Sequence, residues 1–224
     1  MEILYRHIDL EGSEMSMYGL IRWIFIISSI FLIFIIANKI KKRAIALIIG
    51  FALLTGTIAV DFRFPFENNF ISFKTSKQAF SYSNKGEIIY TLEGSKSGLI
   101  IYRDDDAIGL SFLPKTQKER WKMDSAFSFV TVYDKSTDIK NVDYNITIYQ
   151  IKKTNDYYVA LDAWFVNEKP IVSDNKLSNF EFVERMYENT SRKSYSFYGY
   201  VGDLGDKYQI QVNGETIDIK IEND

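Results

Sequence analysis

The chain has 224 residues, with 27 Lys and Arg against 29 Asp and Glu, an apolar fraction of 46% and no cysteine. This length accommodates an anchor and one domain of ordinary size, or two small lobes that share a core. The missing thiols exclude a disulfide framework and thiolate chemistry, and the near-neutral charge without a basic cluster leaves no electrostatic footprint for nucleic acid, which is not expected as a partner.

Residues 1–17 form a short amino-terminal segment holding Arg6, the acids Glu2, Asp9, Glu11 and Glu14, and the sole histidine, His7. From Tyr18 to Ala37 the chain reads YGLIRWIFIISSIFLIFIIA, twenty residues with one charge, Arg22; Ala44 to Val60 is a second run of seventeen residues with none. Lengths of this order match a hydrocarbon core of ~30 Å, so both runs are expected to be transmembrane helices, over 18–37 and 44–60. Between them Lys39, Lys41, Lys42 and Arg43 set the topology, because short loops dense in Lys and Arg stay in the cytoplasm. The sequence therefore implies a two-pass cell-membrane protein with both termini outside and the lipid bilayer as a partner. Arg22 reads as a snorkelling anchor. Ala46 with Gly50, and Ala52 with Gly56, give small-xxx-small spacings for close helix approach, the first helix being the nearest candidate. No signal-peptide pattern precedes either run.

Residues 61–224 are expected to form an extracytoplasmic, mainly β domain, with a candidate division into two lobes near 125–143. In DFRFPFENNF, 61–70, Phe62, Phe64 and Phe66 recur with a period of two, which indicates extended backbone, either an interfacial aromatic belt or a first strand. Ser76 is placed to cap a helix of about two turns that buries Ala79 and Phe80. From Gly86, EIIYTLEGSKSGLIIYR gives two β-rich runs joined at Gly94 to Gly98, and AIGLSFL follows the turn at Asp104, Asp105 and Asp106. YNITIYQI and YYVALDAWFV flank Lys152 to Asp156 as a second hairpin. SNFEFVERMYEN carries both a capping box, Ser178 with Glu181, and strand alternation at Phe180, Phe182 and Met186, the strand reading being favoured. YSFYGYV is a strand, and YQIQVNGETIDIKI a hairpin about Asn213-Gly214, the pair that a type I′ turn prefers. The fold class is thus a membrane-anchored α+β chain, a two-helix transmembrane hairpin followed by a mainly antiparallel β domain with one short helix.

The bias toward Ile, Lys, Asn, Phe and Tyr is typical of AT-rich genomes such as those of low-GC Gram-positive bacteria. The run FISFKTSKQAFSYSNKGEIIYTLEGSKSGLIIY, the later FLPK and Trp121-Lys122, and the ending YSFYGYVGDLGDKYQIQVNGETI resemble small membrane-anchored proteins of Bacillus-like bacteria. The resemblance implies an extracytoplasmic location and transfers no catalytic residue.

With His7 outside the domain, no histidine-based triad, His-metal site or imidazole acid/base pair can form there, and with no cysteine a structural zinc site is nearly excluded. Neither a cofactor nor a metal is expected, and no Gly-rich phosphate loop occurs. Asp104, Asp105 and Asp106 are the densest acidic group and the weak surface candidates, but three adjacent turn residues lack the alternate spacing of a calcium loop. Ser173 to Lys176 matches S-x-x-K spacing outside the helix start that motif needs. Asn145-Ile-Thr147 and Asn189-Thr-Ser191 match the glycosylation sequon. The expected function is non-enzymatic, a membrane-anchored binding or regulatory protein whose partner is a membrane or envelope protein, in immunity or the envelope. The alternatives are an envelope hydrolase with paired carboxylates and an accessory subunit of a membrane complex.

Overall fold

The computed structural model describes residues 17–39, 45, 48–56, 65–125, 128–139, 142–186 and 193–221. Internal contacts divide the chain into two units, Met1–Phe66 with Tyr82–Asn84, and Glu67–Ser81 with Lys85–Asp224.

In the first unit, α1 spans Met17–Lys39, and residues 48–56 are helical. A methyl group placed on Gly50 would lie 3.4 Å from Ile33 Cγ2, so this glycine faces α1 closely. The expected transmembrane hairpin is corrected here. Among the described residues no helix is long and apolar enough to cross a membrane. Of the second apolar run, residues 48–56 are the continuous helical stretch among the described residues, about 14 Å at ~1.5 Å per residue against a core of ~30 Å. The membrane-anchored fold class, the two-pass cell-membrane location and the outside placement of both termini are withdrawn with it. Trp23, Ile27, Phe31 and Phe34 of α1 are exposed. Lys39 closes α1, whereas Lys41, Lys42, Arg43, His7, residues 1–16 and the sequon at Asn189 lie outside the described residues.

The second unit is antiparallel β-sheet in three layers. Its strands are β1 (Glu87–Glu93), β2 (Ser97–Asp104), β3 (Ala107–Pro114), β4 (Phe129–Ile139), β5 (Val142–Ile151), β6 (Tyr157–Val166), β7 (Val172–Asp174), β8 (Phe180–Met186), β9 (Lys193–Val201), β10 (Tyr208–Val212) and β11 (Glu215–Ile219). β1-β2-β3 form the first sheet, β4-β5-β6-β9-β8 the central sheet and β11-β10-β7 the third. Period-two alternation sorts the central strands onto two apolar faces. Tyr158 and Ala160 of β6, with Tyr198 of β9, pack against Leu99, Ile101 and Phe112 of the first sheet. Val159 and Leu161, with Tyr195 and Phe197, pack against Tyr208, Ile210, Val212 and Ile219 of the third. β6 and β9 are accordingly near-continuous apolar runs, the pattern of strands covered on both sides.

The tight β10–β11 hairpin follows from its turn chemistry. Asn213 (φ 51°) and Gly214 (φ 84°) both take the left-handed conformation that a type I′ turn requires, with Val212 opposite Glu215. On the outer face of the first sheet, α2 (Ser76–Ser83) buries Ala79 and Phe80. The cap is Thr75, one residue before the expected Ser76: its Oγ1 accepts the Gln78 N–H at 3.2 Å. Phe66–Asn69 is a 3-10 turn, so the extended reading of 61–70 fails over that part, while 61–64 lie outside the described residues. The segment after this turn is stapled down by Lys122 Nζ, which donates to the Asn68 and Ile71 carbonyls, and by the Asn68 amide, which pairs with Met123 N–H and C=O.

Candidate functional site

Asp104 ends β2 opposite Ala107, and Asp105 and Asp106 form the turn between β2 and β3, Asp105 at φ 50°. All three are exposed. Among the described residues no group of three His, Cys, Asp or Glu side chains could hold a metal ion. Ser173 lies on β7 opposite Gln211. Asp174 after it accepts the N–H groups of Lys176 and Ser178 and the hydroxyl of Tyr208 at 2.8 Å. The S-x-x-K spacing therefore falls on a strand and turn and lacks a helix start.

A polar constellation instead lies on the central sheet. Along β6 the residues facing the first sheet are Tyr158, Ala160 and then Asp162, a half-buried carboxylate in an otherwise apolar strand. Strand pairing extends this position into a row: Ser136 is opposite Asn145, Asn145 opposite Asp162, and Asp162 opposite Ser196. Four strands from distant parts of the sequence thus contribute one polar side chain each. The neighbouring rows add Thr147 and Tyr198 on one side and Ser194 opposite Arg185 on the other.

The row is held by its own hydrogen bonds. Ser136 Oγ donates to Asn145 Oδ1 at 3.2 Å, Asn145 Nδ2 to Thr147 Oγ1 at 3.3 Å, and Thr147 Oγ1 to Asp134 Oδ1 at 3.1 Å. Ser196 Oγ donates to Asp162 Oδ1. Among the described residues Asp162 Oδ2 has no hydrogen-bond partner, and Arg185 Nε is buried without one. Burial raises the Asp162 pKa above the usual carboxylate range, and the Ser196 hydrogen bond and the Arg185 charge only partly oppose it. Tyr149 and Tyr198 are pushed up as phenols, by burial first and then, among other causes, by the Asp162 charge, so both remain neutral hydroxyls. Tyr149 is fixed by Phe112 and Phe129, whose ring centres lie 5.0 and 5.7 Å away.

Beyond Asp162 a β-bulge sets Trp164 and Phe165 against the single residue Ser194, and Phe165 takes φ 55°. The Phe165 N–H reaches the Ser194 hydroxyl at 3.3 Å. Trp164 is 39% and Phe165 51% exposed, and alternation from Asp162 places Trp164 on the same face.

This arrangement presents hydroxyl, amide and carboxylate groups along one face of the sheet. Ser196 donates to a carboxylate, a weak base, with no imidazole to relay its proton. Asp134 and Asp162 stand two strands and two residues apart on the same face, about 12 Å between Cα atoms. Asp156 is a structural staple: its carboxylate accepts Ser95 Oγ, Lys96 N and Ser97 Oγ at 2.7 Å and Tyr200 OH at 2.9 Å, tying the β1–β2 turn to β6.

No protein-family model, no curated protein and no solved structure matches the chain.

Proposed function

We propose that the chain is a non-catalytic binding protein whose recognition surface is the polar end of the central sheet around Asp162. One observation carries this reading: strand register lines up Ser136, Asn145, Asp162 and Ser196 as one polar row across four strands of the central sheet, with Asp162 half-buried in an otherwise apolar strand and Trp164 exposed two residues beyond it. Rigid strands hold such a row in fixed positions for a ligand that hydrogen-bonds to it.

The test is amide chemical-shift mapping on the full labelled chain, titrated in turn with oligosaccharides, short peptides and small anions. Shifts should cluster on β5, β6, β8 and β9 around Asp162 for at least one ligand class, with the ligand recovered chemically unchanged. Shifts confined to other surfaces, or turnover of the ligand, would sink the proposal.

A further inference from the structure

We infer that the cleft between Ser72 and the turn 116–120 binds a small oxyanion, a carboxylate or phosphate group, on Arg120 and Lys118. This site is independent of the Asp162 reading. The cleft has a volume of about 410 Å³ and is lined by Ser72, Thr116, Gln117, Lys118 and Arg120, two cations and no acid. Glu119 belongs to the same turn, at φ 54°, but is not part of the lining.

A small backbone ladder holds these residues in place. Phe73 and Trp121 exchange N–H···O bonds at 2.9 Å in both directions, and the Thr116 N–H donates to the Arg120 carbonyl at 2.7 Å. Phe73 and Trp121 are each 4% exposed, so the ladder is anchored in the core.

The cations of this stretch divide into two kinds. Lys122 Nζ donates to the Asn68 and Ile71 carbonyls, and Lys115 Nζ donates to the Gly94 carbonyl at 3.1 Å and lies 4.6 Å from the centre of the Trp121 ring. Both are occupied as staples. Arg120 gives one Nη2 N–H to the Ser72 carbonyl at 2.8 Å, which fixes the guanidinium at the cleft wall. Of its five side-chain N–H donors, the other four have no acceptor among the described residues. The Lys118 ammonium likewise has neither a hydrogen bond nor an ion pair among them.

Thr116 adds a neutral donor. Its Oγ1 already accepts the Lys118 and Arg120 N–H groups at 3.3 and 3.2 Å, so what it has left to offer is its own proton. An oxyanion uses all of these groups. A guanidinium fork matches two oxygens of one carboxylate or phosphate, and Lys118 supplies a second positive charge. A cation would be repelled by both side chains, and a neutral ligand would leave both charges unopposed.

The test is amide chemical-shift titration of the full labelled chain with inorganic phosphate and with acetate, at constant ionic strength in chloride. At least one of them should give saturable shifts at Ser72 and from Thr116 to Arg120, with Kd of about 10 mM or tighter. The tighter of the two identifies the ligand group as phosphate or carboxylate. Lys118→Gln, an exposed change that leaves the ladder intact, should weaken this binding at least about fivefold. Arg120→Lys keeps the charge but loses the fork, and should weaken it as much. Lys220→Gln, at an exposed position just past β11 in the third sheet, should leave it unchanged. The inference is overturned if neither anion gives saturable shifts at these residues, if Lys118→Gln binds as the wild type does, or if Lys220→Gln loses as much affinity.

Discussion

Asp156 and Asp124 show how one residue type takes opposite roles according to its donors. At Asp156 burial works against the charge, but the hydroxyls of Ser97 and Ser95, the Lys96 N–H and the Tyr200 hydroxyl outweigh it and hold the carboxyl below its usual range. Asp156→Ala should therefore cost roughly 3 kcal/mol in urea unfolding, because it strands several buried donors at once. A folded-state pKa below the unfolded one stabilises above pH ~4, so the wild-type advantage over Asp156→Ala should shrink as pH falls through that region. Asp124 is the reverse case. Its Oδ2 accepts the Phe112 N–H at 3.1 Å, but Oδ1 is buried without a hydrogen bond, and burial pushes the carboxyl up to about 6. The folded chain then holds this proton to higher pH than the unfolded one, and stability drains away between pH ~4 and ~6, by about 3 kcal/mol. Asp124→Asn should stabilise the protein at pH 8 and have little effect at pH 4, as thermal unfolding at the two pH values will show. Leu177 illustrates backbone cost: it sits at φ 58° and is 91% exposed. Leu177→Gly should raise stability by up to about 1 kcal/mol in urea titrations, since it relieves a left-handed leucine and forfeits no packing.

At the scale of elements, close packing around Tyr102 is the sharpest constraint. A Cβ on Gly109 would lie 2.3 Å from the Tyr102 ring and one on Gly86 would lie 2.4 Å from it, while Phe80 of α2 packs on the same ring at 4.8 Å. Gly109→Ala should lower the melting temperature by several degrees. Most of that loss should vanish in a Tyr102→Ala background, so a double-mutant cycle reads the coupling directly. The hairpins were legible from sequence because period-two alternation and Asn213-Gly214 are local signals. β4 was not: FVTVYDKSTDI mixes charges with apolar residues, as an edge strand paired on one side only can. The Ser178 capping box lost to the strand because Val183 is buried in the core and the Asp174 carboxylate takes the Ser178 N–H. The expected membrane hairpin rested on two apolar runs and the basic turn between them, and among the described residues no helix is long and apolar enough to cross a membrane. The Asp162 site was out of reach for another reason. Ser136, Asn145, Asp162 and Ser196 become neighbours only through strand register, and one clue was local, a lone aspartate inside YYVALDAWFV.

For the β unit as a whole, the central sheet joins the two apolar clusters, since consecutive residues of β6 alternate between them. Leu99, 1% exposed, belongs to one cluster and Leu161, fully buried, to the other. Leu→Ala at either position should cost about 2–5 kcal/mol. Both should shift a single transition of this unit, with far-UV dichroism and tyrosine emission coinciding, and separate transitions would show that the layers unfold independently. The strand order has a further outcome during synthesis. β9 inserts between β6 and β8 and is followed by β10 of the third sheet, so a nascent chain that has emerged only as far as Met186 offers an unpaired inner edge and greasy surfaces to the crowded cell. Until the last segments leave the ribosome those surfaces are prone to aggregate, and slower aggregation at low expression temperature should raise the yield of folded protein.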